Sequence, residues 1–529
     1  MSPFAPFPPW KWEIPELLNI GVACTDAHLG APVEQRTAMI VEDDTLGTTS
    51  ITYAELADRT SRFAQLLRNL GIAAGERVLV RLPNSIDYPT AFLGSMKRGA
   101  IAVPTSTLLT AEEVRYLLED SGARALVIDA TAWRAMAPLL ERAGALEHIL
   151  VAGPALDSAL AAVASFEPSE ATRPNDPAYL VYTSGTTGYP KGVLHGHRSL
   201  IGRMPASTYW FDFSGEDRIL HSGKFNWTYV LGSALMDPLY RGKTVIAHEG
   251  RNDAATWPRL IAKHAATIFI GVPTIYRQIL QKTAFTAADV PTLVHCMSAG
   301  EHLSDEVFAS WKERFGLDIY EAVGMSEFSY YLSQSRFRPI RPGSAGFPQP
   351  GHDIRLLDPE TLAEARAGGE GMICIPESDP GLFLSYWNLP EETAKLRHDG
   401  WFFTGDYARY DDDGYLWFLG RRDDIIKSFG YRVSPYEVER VLKSHPSVAD
   451  CACIAEEAGA GKRLVVAYVI AREGATVDPD ALLEYGHERL AAYKAPKVIY
   501  IAREFPRTRN GKILRRDISP GIALSRSRA

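Results

Sequence analysis

The sequence predicts an α/β protein in two parts: a large N-terminal domain with mostly parallel sheets and a β-rich subdomain, and a small α+β C-terminal domain. Its 529 residues allow two to four domains at about 150 residues each. Over the first four-fifths of the chain, short apolar runs alternate with amphipathic stretches, which is typical of strand–helix alternation and parallel sheets. Near Gly420 this pattern gives way to a separate, shorter series of strands and helices.

The apolar runs of the first region have the length and the polar or glycine boundaries of buried strands. A helix-like stretch that ends at Gly99 separates the first two of them. The predicted strands are Arg77–Leu82, Ile101–Val103, Ala125–Ile128, Ala178–Tyr182, Lys243–Ala247 and Ala266–Gly271.

Residues 335–420 differ because Gly and Pro turns separate short strands. The turns are Arg341–Gly343, Pro348–Gly351 and Asp411–Gly414. This spacing predicts the smaller β-rich subdomain.

A polar segment, Arg421–Asp424, connects the two parts of the chain. We therefore predict an N-terminal domain over residues 1–420, a connector over 421–424 and a C-terminal domain over 425–529. The C-terminal pattern predicts strands at Ile425–Val433, Asp450–Ala455 and Leu464–Ile470, and helices at Pro435–Lys443 and Asp480–Tyr493.

Composition and charge exclude several classes of protein. Hydrophobic residues make up 46% and charged residues 23%, as in globular proteins, and the net charge of -8 argues against a nucleic-acid binder. The segment Met1–Trp10 lacks the basic start of a signal peptide, and no apolar run is long enough to span a bilayer. We expect a cytoplasmic protein whose cysteines are reduced core thiols: Cys24, Cys296, Cys374, Cys451 and Cys453.

The most informative local sequence is Tyr182–Gly192, which reads Tyr-Thr-Ser-Gly-Thr-Thr-Gly-Tyr-Pro-Lys-Gly and follows a predicted strand. Glycines allow backbone N–H groups to approach a polyanion, hydroxyl groups donate further hydrogen bonds, and Lys191 supplies positive charge. These features suit the β- and γ-phosphates of a nucleotide, although the loop is not a Walker A loop, because no Gly-Lys-Ser/Thr ends it. The candidate phosphate-binding residues are Thr183, Ser184, Gly185, Thr186, Thr187, Gly188 and Lys191.

That loop resembles the signature loop of the adenylate-forming superfamily, which includes acyl-CoA synthetases, luciferases and the adenylation domains of peptide synthetases. The resemblance covers nearly the whole chain, because five further segments resemble the other superfamily motifs in the same order. They are Ser298–His302, Tyr320–Glu327, Phe403–Asp406, Gly420–Arg432 and Pro506–Lys512. The pattern is similar to that of benzoate-type and medium-chain acyl-CoA ligases, and departs from both in detail.

In the nucleotide site, the resemblance implies one contact for each matching residue. The adenine would lie against Gly300 and Glu301. Ser326 would contact phosphate, and Glu327 would bind magnesium, since a carboxylate is a hard oxygen ligand for a cation between phosphates. Asp406 would bind the ribose, because a carboxylate can accept hydrogen bonds from both hydroxyls of a vicinal diol.

The C-terminal motifs imply basic and mobile positions. Arg421 and Arg432 are fixed cations suited to ribose and phosphate contact. Lys512 matches the catalytic lysine and would stabilise charge on the α-phosphate and the incoming carboxylate. The C-terminal domain would be mobile and swing about a hinge at Asp423, which would withdraw Lys512 and bring Gly430 to the pantetheine channel.

These motifs predict an ATP-dependent carboxylate–CoA ligase that uses Mg²⁺. It would form an acyl-adenylate with release of pyrophosphate and then an acyl-CoA thioester with release of AMP, and no protein nucleophile is required. One alternative is an adenylating enzyme that delivers the acyl group to a carrier protein or another acceptor. A second, a non-catalytic binding protein, is disfavoured by the intact Lys191, Glu327, Asp406 and Lys512.

The acid is expected to bind beside the segment Phe225–Thr228. In the amino-acid-activating branch a Phe-Asp motif supplies a carboxylate for the substrate ammonium, whereas Asn226 is neutral. Phe225, Asn226, Trp227 and Tyr330 are the candidate pocket residues, although such aromatic residues often pack in cores, and Val230–Leu239 predicts a packed helix. Because Trp227 is bulky, we expect a small aromatic, alicyclic or medium-chain aliphatic acid.

The expected partners are the carboxylic acid, ATP and coenzyme A. Lys512 lies in a basic loop that a protein acetyltransferase could recognise, and acetylation would remove its charge. The acid, the pathway and the oligomeric state are left open by the sequence.

Overall fold

The computed structural model describes residues 7–141, 143–163, 169–183, 190–301, 303–366, 368–421, 424, 426–428, 431–457, 463–507 and 513–526. Within these ranges the chain has the expected α/β architecture, with a separate C-terminal domain that contains its own sheet. No helix in these ranges combines the length and apolar character that crossing a membrane requires.

The strands in chain order are β1 (Thr37–Asp43), β2 (Gly47–Thr52), β3 (Arg77–Arg81), β4 (Ile101–Pro104), β5 (Ala125–Ile128), β6 (His148–Val151), β7 (Pro177–Thr183), β8 (Lys191–Gly196), β9 (Arg218–His221), β10 (Thr244–Glu249), β11 (Ile268–Ile270), β12 (His295–Ala299), β13 (Ile319–Met325), β14 (Ser329–Ser333), β15 (Phe347–Pro348), β16 (Arg355–Leu357), β17 (Glu370–Pro376), β18 (Ser385–Tyr386), β19 (Arg397–His398), β20 (Trp401–Tyr410), β21 (Leu416–Arg421), β22 (Ile426–Ser428), β23 (Tyr431–Val433), β24 (Val448–Glu457), β25 (Arg463–Ala471), β26 (Val498–Ala502) and β27 (Ala523–Arg526).

The α-helices are α1 (Ile20–Ala23), α2 (Tyr53–Asn69), α3 (Asp87–Lys97), α4 (Ala111–Ser121), α5 (Ala130–Leu140), α6 (Pro154–Ala161), α7 (Ser199–Gly202), α8 (Met204–Tyr209), α9 (Thr228–Val230), α10 (Asp237–Tyr240), α11 (Thr256–His264), α12 (Pro273–Lys282), α13 (Asp305–Phe315), α14 (Pro390–Ala394), α15 (Pro435–Lys443) and α16 (Pro479–Arg489). Short 3₁₀ segments lie at Asp26–His28, Pro32–Gln35, Ala287–Asp289, Arg515–Asp517 and Pro520–Ile522. A π-helical segment, Leu231–Met236, joins α9 to α10, in the region where the sequence predicts a packed helix.

Two large sheets form the N-terminal domain. One has nine strands in the order β15-β14-β13-β12-β11-β9-β10-β1-β2, and the other has seven in the order β18-β8-β7-β4-β3-β5-β6. The central strands of both sheets are parallel, while β2, β14 and β15 in the first sheet and β8 and β18 in the second pair antiparallel. Helices α2 and α3 contribute Phe63 and Phe92 to one apolar core together with residues from both sheets, so they pack between the sheets.

The predicted β-rich subdomain is confirmed as a five-stranded antiparallel sheet. Strands β16, β17, β20 and β19 pair in that order, and β21 pairs with the other part of β20.

The C-terminal region has its own apolar core, which extends from Ile426 to Ile499 and includes Cys451 and Cys453. The predicted helix Pro435–Lys443 is confirmed; the Ser434 hydroxyl accepts from the N–H of Glu437 and fixes its start. Strand β25 pairs with β24 and β26, and β27 completes the sheet.

Two C-terminal predictions are wrong in detail. The single strand expected at Ile425–Val433 is instead two short antiparallel strands, β22 and β23, in which Ile426 pairs with Val433. The helix expected to reach Tyr493 ends at Arg489, because Leu490 adopts an extended backbone.

Candidate active site

A cavity of about 2010 Å³ lies at the carboxyl ends of parallel strands from both large sheets. Its wall includes Thr105 after β4, Thr183 at the end of β7, Val272 after β11, Gly300 after β12 and Ser326 after β13. Ligands bind at this edge in open α/β sheets, because the loops that follow parallel strands converge there. Residues of the C-terminal region, including Tyr436 and Leu514, line the cavity as well.

The two ends of the candidate phosphate loop lie on the paired strands β7 and β8. Thr183 and Lys191 are register partners where β7 pairs with β8, and Thr183 lines the cavity. Lys191 Nζ lies 3.1 Å from Glu392 Oε2 and 5.6 Å from the centroid of the Tyr386 ring, so a carboxylate and an aromatic face hold this ammonium. The remaining candidate residues of the loop lie outside the described ranges: Ser184, Gly185, Thr186, Thr187 and Gly188.

Helix α4 holds the two ends of this loop. Tyr182 Oη donates a hydrogen bond of 2.5 Å to Asp120 Oδ2, and Tyr116 Oη donates one of 3.4 Å to the carbonyl oxygen of Pro190. Tyr116 and Asp120 are four residues apart and therefore lie on one face of the helix. Burial and the Asp120 carboxylate raise the pKa of Tyr182, so its hydroxyl stays protonated and keeps donating.

Glu327 lies in the turn between β13 and β14. Its carboxylate accepts a 2.6 Å hydrogen bond from Tyr386 Oη, and its carbonyl oxygen accepts one of 2.8 Å from the N–H of Phe383. The carbonyl of the preceding Ser326 lies 2.8 Å from His195 Nε2. Burial lowers the pKa of His195 to about 3, so the ring is neutral, and the Nε2–H must be the donor because a carbonyl only accepts.

Asp406 and Arg421 lie side by side on the neighbouring strands β20 and β21. They are register partners on β20 and β21, with Arg421 Nε 3.3 Å from Asp406 Oδ1, and both line the cavity. Burial by itself would lower the pKa of Arg421. The negative charges of Asp406, Glu327 and Asp424 have the larger effect and raise the pKa of this arginine above its usual value. The pair therefore places an acceptor and a permanent cation next to each other.

Gly300 and Glu301 form the wall after β12. Gly300 has a φ of 91°, and a Cβ at this position would lie 3.1 Å from Trp227 Cη2, so the indole packs directly on the glycine backbone. Glu301 Oε2 accepts a 2.7 Å hydrogen bond from Thr274 Oγ1.

Three of the four candidate acid-pocket residues, Asn226, Trp227 and Tyr330, line the cavity, together with Tyr229. Tyr229 packs edge-to-face with Trp227 at a centroid distance of 5.3 Å. Phe225 does not line this cavity. It is 1% exposed, and its ring packs in the core with a centroid 5.2 Å from that of Tyr88. Its N–H donates to the side chain of Asn84, which fixes the strand exit with Phe225 directed inward.

A buried polar network fixes Tyr330 from behind. Its hydroxyl donates to Asp237, whose other oxygen lies 2.9 Å from Arg203 Nε. Burial raises the pKa of Asp237 to about 7, and the facing guanidinium opposes that rise. Arg203 is 2% exposed and also donates to Tyr179 Oη, so the pocket wall rests on a buried hydrogen-bond network and not on apolar contacts alone.

The loop that carries Lys512 is flanked by Arg507 and Ile513, and both of these residues lie at the cavity. Arg507 and Ile513 form an isolated antiparallel bridge, and the N–H of Leu514 donates 2.8 Å to the carbonyl of Pro506. Arg507, Ile513 and Leu514 line the cavity. Arg515 anchors the exit with a bidentate contact of 2.8 and 2.9 Å to Glu439.

Several candidate residues of this region are not placed. Lys512, Asp423 and Gly430 lie outside the described residues, and Arg432 is described only as backbone in β23.

Two ion pairs join the C-terminal domain to the start of α13. Arg440 Nη2 lies 2.7 Å from Asp305 Oδ2, and Arg472 Nη2 lies 2.7 Å from Glu306 Oε2. Close to them, burial raises the pKa of Glu321, a cavity-lining carboxyl, to about 8.

The sequence reasoning missed five residues of the site: Tyr386, Glu392, Asp120, Tyr229 and Asp237. Four of them reach the site from distant segments, and no local pattern marks them. Tyr229 could have been found, because it lies two residues after Trp227 at the same strand exit.

Two family models match the chain: the AMP-binding enzyme model over residues 30–387 and the AMP-binding enzyme C-terminal domain model over residues 437–512. The benzoate–CoA ligase of Thauera aromatica is 36% identical, covering 88% of this chain and 90% of its own. The 3-hydroxybenzoate–CoA ligase of Aromatoleum sp. (strain CIB) is 32% identical, covering 88% and 91%.

Among solved structures, the anthranilate CoA ligase AuaEII in complex with anthranoyl-AMP is similar to this chain. The TM-score is 0.85 at 30% identity, covering 94% of this chain and 96% of that one.

Proposed function

The chain belongs to the AMP-binding enzyme family, and we propose that it is an ATP-dependent ligase that joins an aromatic carboxylic acid to coenzyme A. The observation that carries the proposal is the lining of one cavity. Glu327, Asp406 and the end of the phosphate loop meet there with an aromatic wall that includes Trp227 and Tyr330. A nucleotide and an aromatic acid can therefore lie side by side.

We assign the nucleotide to the half of the cavity next to Asp406. The ribose hydroxyls donate to the Asp406 carboxylate, and the adjacent Arg421 offsets its charge and that of the phosphates. Gly300 and Glu301 lie against the adenine, and Ser326 contacts phosphate. Lys191 and the loop after Thr183 bind the β- and γ-phosphates, while Arg432 is a further cation for ribose or phosphate.

The residues present fit a nucleotide-bound Mg²⁺. No group of three or more His, Cys, Asp or Glu side chains suited to a metal occurs in the described part of the chain. Mg²⁺ in nucleotide sites needs only one or two carboxylates, since phosphates and water complete its shell. Glu327 supplies such a carboxylate at the cavity wall, and the bound cation would neutralise phosphate charge.

The first half-reaction forms the acyl-adenylate. A carboxylate oxygen attacks the α-phosphorus of ATP, and the bond from that phosphorus to the β-phosphate oxygen breaks, so pyrophosphate leaves with the electron pair. Lys512 stabilises the charge that builds up on the α-phosphate. The cavity-lining ends of its loop support this role.

The second half-reaction forms the thioester. The thiol sulfur of coenzyme A attacks the acyl carbon, the thiol proton is lost to solvent, and AMP leaves with the electrons of the acyl–oxygen bond. We propose that the C-terminal domain, residues 425–529, rotates relative to the N-terminal domain, residues 1–420. The hinge would be the connector 421–424, centred on Asp423. Gly430 then approaches the pantetheine arm, where a residue without a side chain leaves room.

The acid binds between Trp227 and Tyr330, with Asn226 at its edge. The named relatives act on benzoate and hydroxybenzoate, and a wall of rigid aromatic side chains suits a flat ring. Neutral Asn226 offers no counter-charge for an amino acid. Delivery to a carrier protein is not favoured, because the named relatives are CoA ligases.

We further propose a cytoplasmic location and acetylation of Lys512 as a control. The five cysteines are all buried and none forms a disulfide, as expected in a reducing compartment. Acetylation of Lys512 would abolish adenylation and leave ATP binding intact.

Formation of AMP from ATP tests the proposal across benzoates, cyclohexane carboxylates and aliphatic acids. We expect AMP release that requires both coenzyme A and an aromatic acid. Rapid AMP release without coenzyme A, or a preference for aliphatic acids, would contradict it.

A further inference from the structure

One short segment, Phe383–Trp387, connects the two large sheets at the nucleotide half of the cavity. Its strand β18 pairs with β8 of the seven-stranded sheet, with Tyr386 opposite Val193, and the N–H of Trp387 donates 2.7 Å to the carbonyl of Gly192. On its other side, the N–H of Phe383 donates to the carbonyl of Glu327, in the turn between β13 and β14 of the nine-stranded sheet. The segment therefore contacts the backbones beside both Lys191 and Glu327.

The Tyr386 side chain makes the same connection. Its hydroxyl donates 2.6 Å to Glu327 Oε1, and its ring lies 5.6 Å from Lys191 Nζ. The hydroxyl is the donor in this hydrogen bond, because a carboxylate oxygen only accepts. Tyr386 does not line the cavity, so we expect it to act on bound ATP through its contacts with Glu327 and Lys191.

We propose that Tyr386 is a positioning residue that fixes the Glu327 carboxylate relative to Lys191, so that both act on the triphosphate of one ATP. The inference rests on the nucleotide assignment above. Tyr386 occupies Oε1 of Glu327, and no described residue donates a hydrogen bond to Oε2. The hydrogen bond at Oε1 thus fixes the direction in which Oε2 faces a cation. Loss of a hydrogen-bonding partner of a ligating carboxylate typically lowers metal affinity about 10–100-fold.

Tyr386→Phe tests this directly, because it keeps the ring beside Lys191 and removes only the hydroxyl. We expect about 10-fold weaker binding of ATP in the presence of Mg²⁺, measured by calorimetry without acid so that no turnover occurs. The factor by which Mg²⁺ strengthens ATP binding should fall, whereas AMP affinity should not change, because AMP lacks the β- and γ-phosphates. Equal loss of ATP and AMP affinity, or no loss, would overturn the proposal.

A second readout separates positioning from general damage. Acid-dependent ATP–pyrophosphate exchange should fall in Tyr386→Phe, while thioester formation from preformed acyl-adenylate should be retained. Tyr415→Phe is the matched control: the hydroxyl of that tyrosine likewise donates a 2.6 Å hydrogen bond, but to the carbonyl of Pro339, away from the cavity. It should leave ATP and AMP binding unchanged.

A double-mutant cycle makes the route through Glu327 testable even where Tyr386→Phe lowers stability. In a Glu327→Gln background, Tyr386→Phe should cause little further loss of Mg²⁺-assisted ATP binding. Additive losses would contradict the positioning role. The proposed function fails separately, if the unaltered enzyme makes no acyl-adenylate.

Discussion

The two halves of the cavity are built differently. In the half that we assign to the nucleotide, charged residues such as Asp406 and Glu327 lie on a strand or in a tight turn and contact polar partners. In the acid half, Trp227 and Tyr229 are packed ring against ring, and Tyr330 rests on the buried pair of Asp237 and Arg203. Fixed charges suit ATP, which is the same ligand throughout the family, whereas selectivity for the acid depends on the shape of its pocket. Changes in one half should therefore leave the chemistry of the other half intact.

The largest expected effect is that of Lys512→Ala. Adenylation of the free acid should fall by about 100-fold or more, because a preorganised charge that stabilises the transition state is lost. Thioester formation from preformed acyl-adenylate should be largely retained, and the acid preference should not change. The two half-reactions are measured separately; equal losses in both would contradict alternation of the C-terminal domain.

Asp406→Ala should weaken nucleotide binding next most strongly. Loss of a charge-assisted acceptor for the ribose costs about 1.5–3 kcal/mol, or about 10- to 100-fold in KM for ATP. Since AMP keeps the ribose, AMP affinity should fall by a similar factor, unlike the expectation for Tyr386→Phe. Steady-state kinetics and calorimetry test this; unchanged ATP kinetics in a folded variant would show that the ribose lies elsewhere.

Trp227→Ala should change acid selectivity far more than it changes ATP kinetics. The indole lies on Gly300, so its removal opens space for larger acids. Each additional buried CH₂ contributes about 0.8 kcal/mol, or roughly fourfold in kcat/KM.

Phe225→Leu is the control for this change, since that residue lies in the core behind the same loop. It should lower the melting temperature without changing the order of preferred acids. If Trp227→Ala instead depresses activity on all acids alike while melting early, Trp227 is a core residue and not a pocket wall.

A further effect is the pH dependence of stability, because both halves of the cavity lie close to buried histidines. Burial lowers the pKa of His195, near Ser326, and of His221, near Tyr229, to about 3 in the folded state. In the unfolded chain these histidines bind a proton near pH 6.5. The free energy of unfolding therefore falls as the pH drops from 6.5 towards 3, by up to about 1.4 kcal/mol per pH unit for each histidine. Melting curves at pH 7 and 5 should show a smaller drop in a His221→Phe variant; an identical drop would contradict this.

The sequence predicted those features that depend on neighbouring residues. Ala125–Ile128 and Pro435–Lys443 match the observed strand and helix, because apolar runs and a Ser-Pro start act locally. The hairpin Ile426–Val433 was read as one strand, since nothing in its apolar pattern marks a reversal. Local patterns also singled out Glu327 and Asp406, which the structure places on the cavity wall, because each lies within a short motif.

The acid half was harder to predict for a physical reason. Aromatic residues line pockets and fill cores alike, so only packing distinguishes Phe225, which is buried, from Tyr229, which faces the cavity. Asp237 and Tyr386 reach the site through contacts between distant segments. Such contacts depend on how the two sheets stack, which the order of residues does not reveal.

A single turnover with benzoate, ATP and Mg²⁺ but no coenzyme A, quenched and analysed by mass spectrometry, shows whether the reaction passes through an acyl-adenylate. We expect benzoyl-AMP to accumulate on the enzyme and to convert to benzoyl-CoA, with release of AMP, when coenzyme A is added. Benzoyl-CoA made without any adenylate, or an adenylate that coenzyme A does not consume, would contradict it.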